Sequence, residues 1–243
     1  MTFPLKNLPI TAAARLAGVW YLILAIFGAF AEFGVRQRLI VAGDAAATAQ
    51  NLLAHANLFR FGIVAELLGQ VVFVLVVFAL YDLLKVVHRR WAVLMVVFVL
   101  LAVGITVLNL VHPAAALMVL DGGLGPAAFE PAQREALATL FLDLHAFGYK
   151  IVAQVFFGLW LLPLGALIVR SGFIPKVVGA FLMLAGVGYL VDVVLAAMLP
   201  DLGFVLSEYT FVGEVLLLGW LLVKGVDADA WRARRAQSLT APA

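Results

Sequence analysis

The residues of this chain whose types and spacing could do chemistry are ionisable side chains set in or beside apolar stretches. Glu32 and Arg36 stand four apart, in the acid-before-base order that pairs on one helix face. Glu66 and Gln70 share a face by the same spacing, and Ser207 shares one with Glu214. Asp192 sits among valines and leucines, His145 stands where a fourth apolar run begins, and Arg60 precedes the second. Guanidinium groups grip anions bidentately, so Arg36 and Arg60 suit an anionic head group. Glu66, His145 and Asp192 suit the polar wall of a pocket, and an acid as deep as Glu214 must be paired or protonated. Each also has a structural use. Glu32 with Arg36 can be an interfacial ion pair, Glu66 and Asp192 can snorkel or pair with Arg60, Pro113 can be a kink, and His112 a packing residue. His55 and His88 fall in loops and carry no assignment.

Elements of a particular kind must position these groups. Of 243 residues 65% are hydrophobic and 12% charged, against roughly 25% charged in an ordinary soluble domain. A soluble fold of this size lacks the polar side chains to cover such an interior. Disorder, a disulfide scaffold and a nucleic-acid binder are excluded on the same grounds. The chain has no cysteine, so thiol chemistry and thiolate metal sites are absent. What remains is an all-α polytopic integral membrane protein whose contacts include membrane lipids.

Six stretches are long enough to cross about 30 Å of hydrocarbon: Ala14–Val35, Phe61–Leu84, Trp91–Val119, Phe147–Val169, Val177–Leu199 and Val205–Val223. The first has some signal-peptide character, with Lys6 and Arg15 ahead of it and Ala29-Phe30-Ala31 as a small-residue site. Its apolar run continues past that site, so it is read as a helix. Lys6, Arg15, Lys85, Arg89, Arg90, Arg170, Lys176, Lys224, Arg232, Arg234 and Arg235 fall on one side. Arg36, Arg38, Arg60 and Arg134 fall on the other, with Lys150 near that face. The basic excess predicts both termini in the cytoplasm. Short outer interfacial helices are expected between helices 1/2 and 3/4. The first, Ala45–Phe59, is capped by Asp44; the second, Pro131–Asp143, runs into the fourth crossing, with Gly148 as a bend. Residues 1–226 then form the transmembrane domain, and 227–243 a polar cytoplasmic tail expected to fray.

At ~1.5 Å per residue from the cytoplasmic helix ends, Glu66 and Asn109 each lie ~28 Å up, Lys150 ~30 Å, Glu32 and Ser207 ~25 Å and Asp192 ~24 Å. Glu214 alone reaches the middle, ~15 Å from Lys224. A pocket opening outward accounts for that distribution better than a through-channel. Pro113 cannot donate to the carbonyl of Asn109, so that acceptor needs water or a polar partner. Ala185-Gly186-Val187-Gly188 lies within a span and reads as close helix packing. No P-loop, HExxH, GxSxG or dinucleotide motif is present, and the residues name no cofactor.

Arg15-Leu16-Ala17-Gly18 with Tyr21, Ala31-Glu32 with Val35-Arg36, and the run Leu39–Ala49 followed by Asn51 and Leu58-Phe59-Arg60 form a recognisable series. It continues through Phe141-Leu142 with His145, Gly148-Tyr149, Phe156-Phe157-Gly158, Ser171-Gly172 with Pro175, Gly188-Tyr189-Leu190 with Asp192, and Gly213-Glu214 with Trp220–Val226. From Arg15 to Val226 the chain resembles the bacterial membrane family catalogued as domain of unknown function 4386. The resemblance implies a six-helix bacterial inner-membrane protein and nothing about activity. It extends to Glu32, Arg36, Asp44, Arg60, His145, Asp192 and Glu214. Lys150 departs from it, standing where the pattern has an apolar residue, and Ala42 replaces a proline.

Three functions fit these observations. The leading one is binding or transport of a lipid-like or small amphipathic ligand, anionic heads included, at Glu32, Arg36, Arg60, Glu66, His145, Asp192 and Glu214. The second is an intramembrane metal-dependent hydrolase using His145 with Glu66, Asp192 and Glu214, although no HxxxH or ExxH pair is present. The third is a structural or signalling subunit whose polar groups tie helices together.

Overall fold

The computed structural model describes residues 8–122, 129–199 and 202–240. Lys6, one of the basic residues used for orientation, lies outside them. Among the described residues every regular element is helical. The helices are α1 Ile10–Leu39, α2 Ala45–Ala54, α3 Ala56–Leu84, α4 Arg89–Leu120, α5 Pro131–Ser171, α6 Lys176–Met198, α7 Ser207–Thr210, α8 Val212–Val223 and α9 Ala228–Thr240. Five of these, α1, α3, α4, α5 and α6, are long and apolar enough to cross a membrane. Large apolar side chains such as Leu108, 73% exposed, and Phe61, 66% exposed, point away from the protein interior. Lipid is the solvent that makes such a surface stable. The protein is an all-α, multi-pass membrane protein.

The expected sixth stretch, Val205–Val223, is divided into α7 and α8 at Phe211. The helical segment Pro131–Asp143 and the fourth span form one 41-residue helix, α5. Gly148 opens a π-helical turn within it, Gly148–Ala153, and α1 contains another, Phe30–Arg36. Such turns insert a residue into the α ladder and shift the faces on either side of it. The tail is not frayed. Asp227 Oδ1 accepts the N–H groups of Asp229 and Ala230 at 3.0 Å, capping α9. Trp231 is buried and donates its indole N–H to the Leu83 carbonyl at 2.9 Å.

The chain divides into two compact units. The first comprises Met1–Leu22, Val72–Val103 and Ile151–Ala243. Its closest helix pairing is between α5 and α6, where glycines remove the side chains that would separate them. A Cβ on Gly165 would lie 2.5 Å from the Gly179 carbonyl oxygen, and one on Gly158 would lie 2.9 Å from that of Gly186. Both pairs fall seven residues apart along each helix, as an antiparallel small-residue seam requires. Gly172, at φ 78°, ends α5 in the left-handed conformation.

The second unit comprises Ile23–Val71 and Gly104–Lys150. Its core joins Val35 and Leu39 of α1, Leu52 of α2, Phe59 of α3, Leu117 of α4 and Leu142 of α5. Asp44 Oδ1 caps α2 by accepting the Ala47 N–H at 2.8 Å. Asn51 Nδ2 donates to the Leu39 carbonyl at 3.2 Å, tying α2 back to the end of α1. Gly62 meets Val35 closely enough that a Cβ would lie 2.9 Å from it, which brings α3 against the π turn of α1.

Candidate functional site

In the second unit the π turn of α1 carries Glu32 and Arg36, and Arg36 becomes the hub of a polar cluster. Its Nε donates to Glu32 Oε2 at 2.8 Å, and its Nη1 donates to Glu66 Oε2 in a short ion pair. The same Nη1 lies 3.4 Å from His145 Nε2. Glu66, on α3, is 6% exposed, and its second oxygen, Oε1, is buried with no hydrogen-bond partner. A buried acceptor without a donor costs about 1–3 kcal/mol, more when charged.

A guanidinium only donates, so His145 Nε2 is placed to accept from Arg36, while Nδ1 has the Asn109 side-chain amide nitrogen at 3.2 Å. Nδ1 lies 3.3 Å from the Asn109 carbonyl oxygen, the one that Pro113 leaves without its helical donor. His112 Nδ1 reaches the same oxygen at 3.1 Å. Two imidazole nitrogens thus approach the carbonyl freed by proline, and His112 Nδ1 also lies 2.9 Å from Asn109 Oδ1. Asn109 Nδ2 in turn donates to the His145 carbonyl at 2.8 Å. Gly148 is what permits this approach, since a Cβ there would overlap the Asn109 side-chain amide.

Glu32, Arg36, Glu66 and His145 line one cavity of about 410 Å³ together with Lys150 and Tyr149. Apart from Gln37, its remaining wall is mostly apolar, including Val35, Ile40, Phe59, Ile63, Pro113 and Leu142. That volume and mixture fall in the range of small-molecule pockets. Among the described residues, Glu32, Arg36, Glu66 and Lys150 are its charged members, two of each sign.

The other sequence-derived residues have different partners. Arg60 pairs with Asp121 at 3.1 Å and with Asn57 at 3.3 Å, on a half-exposed surface. Arg36 and Arg60, expected to grip an anionic head, each pair with carboxylates of the chain. Asp192, in the first unit, accepts the Leu206 N–H at 2.6 Å and the Ser207 N–H at 2.8 Å, capping the start of α7. Glu214, also in the first unit, accepts from Tyr189 at 2.8 Å and Tyr21 at 3.2 Å, one phenol to each oxygen. Tyr21 and Tyr189 lie far apart in the chain, and only the fold brings their hydroxyls to one carboxylate. Lys150 was set aside on the family pattern, yet it lines the cavity. No group of three His, Cys, Asp or Glu side chains able to hold a metal ion occurs among the described residues. The hydrolase alternative therefore has no assembled ligand set there.

Comparison with known proteins places these features in a family. No solved structure matches the chain with significance. An 85-residue stretch is 41% identical to an "Uncharacterized protein" of the archaeon Archaeoglobus fulgidus, covering 34% of this chain and 51% of that one. The match thus spans about half the length of that relative. Residues 16–225 match the family model described as Domain of unknown function (DUF4386), and with them the Arg36 cluster, its cavity and the Tyr–Glu214 centre. The chain belongs to the DUF4386 family.

Proposed function

We propose that the protein binds a small amphipathic molecule in the cavity of its second unit, with the Arg36 cluster facing the polar part and the aliphatic wall facing the apolar part. The observation that carries this reading is the cavity itself, about 410 Å³ and lined by Glu32, Arg36, Glu66, His145 and Lys150 beside aliphatic side chains. A scaffold role alone would fill such a volume with side chains, because membrane helices gain their association energy from packing. In this reading α7 and α8 together make a sixth crossing, since residues 207–223 rise about 25 Å. Both termini then lie in the cytoplasm of a plasma-membrane protein, as the basic residues favour. Helix α2 and the start of α5 lie at the outer face, and the cavity opens outward. The tie-helix reading is supported for Asp192 and Glu214, each of which has a donor from the chain on both oxygens.

Native mass spectrometry of the full chain released in mild detergent tests the proposal. Ala146 is exposed and lines the cavity, so Ala146→Phe takes up its volume without entering the packed interior. A stoichiometric organic adduct on the wild type, lost in Ala146→Phe, is the expected outcome. A bare wild type, or an adduct held equally by the variant, would overturn the proposal, and a stoichiometric metal ion would favour a hydrolase.

A further inference from the structure

The first unit gathers basic side chains at one end, through contacts between segments far apart in the chain. Arg15 of α1 donates to the Val223 carbonyl at 3.2 Å, and the Asp227 N–H donates to the Phe173 carbonyl at 3.2 Å. Trp231 ties α9 to the end of α3, and the Arg170 guanidinium lies over the Trp91 ring, 4.6 Å from its centroid. The start of α1, the α3–α4 and α5–α6 turns, the end of α8 and α9 therefore share one end of the unit. Ten described basic side chains stand on these segments, against three carboxylates, Asp82, Asp227 and Asp229. Two of the ten are ion-paired, Lys85 with Asp82 and Arg232 with Asp229. The others, with Arg89, Arg90, Arg170 and Lys176 exposed among them, pair with no carboxylate of the described residues. Like charges gathered on one face repel, and an anion placed among them relieves that repulsion.

The kind of anion follows from what adjoins the cations. Within one helical turn of Arg89 and Arg90 stand Val93 and Leu94, both exposed; exposed Val177 follows Lys176, and exposed Val223 precedes Lys224. A nucleic acid or an acidic protein would use the charges and leave these apolar side chains bare. A phospholipid uses both, its phosphate against the cations and its acyl chains against the valines and leucine. Trp91 and Trp231, whose rings lie under Arg170 and Arg235, are of the residue type that sits at head-group level. We propose that this basic end of the first unit is a binding surface for anionic phospholipid. The phosphodiester meets the α3–α4 and α5–α6 turns, and α9 stands at head-group level. No residue of the second unit's cavity takes part.

The test offers delipidated full-length protein in mild detergent an equimolar mixture of phosphatidylglycerol and phosphatidylcholine with identical acyl chains. Native mass spectrometry reads which is retained. Phosphatidylglycerol is expected to be retained about tenfold over phosphatidylcholine, a preference that should shrink as salt rises. Arg89→Gln with Lys176→Gln, two exposed positions without a carboxylate partner, should cut the preference about threefold or more. Arg38→Gln, exposed in the second unit, and Ala146→Phe, which occupies the cavity, should leave it unchanged. Soluble glycerol phosphate, which has no acyl chains, should not displace the lipid. Equal retention of the two lipids overturns the proposal, as does a preference that the double variant leaves intact. A preference abolished by Ala146→Phe would put the lipid in the cavity, overturning this surface while supporting the binding proposal above. Displacement by glycerol phosphate would show that charge alone binds, and displacement by polyglutamate would make an acidic protein segment the occupant; either overturns the lipid assignment.

Discussion

A carboxylate held among helices needs a donor for each oxygen, and Asp192, Glu214 and Glu66 meet that need to different degrees. Asp192 has two backbone N–H groups, Glu214 two phenols, and Glu66 one guanidinium and a vacant oxygen. The first of these is the cleanest stability test, because its donors are backbone groups at a helix start. Asp192→Ala is expected to lower stability by about 2–3 kcal/mol, and Asp192→Asn, which keeps one acceptor, by about half that. Chemical or thermal unfolding in detergent measures both. Equal losses for Ala and Asn would mean that packing rather than hydrogen bonding holds Asp192. Part of this pairing was legible beforehand: counting rise per residue put Asp192 and Ser207 at one depth, and the Ser207 N–H is among its donors. The sequence held no means of choosing between Arg60 and these amides, since depth says nothing about rotation around a helix axis. For Arg36 and Glu66 the same limit applied, and depth did not reveal that Arg36 would pair with Glu66 as well as with Glu32.

At the scale of the element, hydropathy and small residues were the legible signals, and helical phase was not. Long apolar runs declare themselves because the bilayer penalises each polar residue separately. The spacing of Glu32 and Arg36 foretold their pairing, but both lie in the π turn Phe30–Arg36, which the 3.6-residue period does not contain. Pro113 was legible as the source of a free carbonyl, and His112 and His145 each bring a ring nitrogen beside it. The glycine seam gives a quantitative prediction. Gly165→Ala places a Cβ 2.5 Å from the Gly179 carbonyl, so α5 and α6 must separate, costing about 1–3 kcal/mol. Gly28→Ala in α1 meets nothing within 4 Å and should be neutral or stabilising by up to about 1 kcal/mol through helix propensity. Thermal unfolding of the two variants side by side checks the sign of each. A neutral Gly165→Ala would show that the seam yields without loss.

For the whole molecule the open quantity is the parity of its crossings. Five helices are long enough to span, and the segment from Ser207 to Val223 is split at Phe211 into pieces that are each too short alone. Six crossings put the two termini on one side of the membrane, and five put them on opposite sides. The chain has no cysteine, so single cysteines introduced at exposed positions report sidedness with no background. Leu8→Cys at the start, Ala46→Cys on α2 and Ser238→Cys on α9 all replace exposed residues. With an impermeant maleimide on intact cells or spheroplasts, Ala46→Cys is expected to be labelled. Leu8→Cys and Ser238→Cys should be labelled only after permeabilisation, to the same extent as each other. Labelling of Ser238→Cys but not Leu8→Cys on intact cells would establish an odd number of crossings. It would also turn α8 into a re-entrant or interfacial segment and move Glu214 out of the membrane middle. The basic residues oppose that outcome, because Arg232, Arg234 and Arg235 would then sit on the outer side. Trp231 opposes it independently: its hydrogen bond to the Leu83 carbonyl fixes α9 beside the end of α3 that precedes Lys85. That end belongs to the same basic side as Arg89 and Arg90, so an outer α9 would require α3 to invert as well.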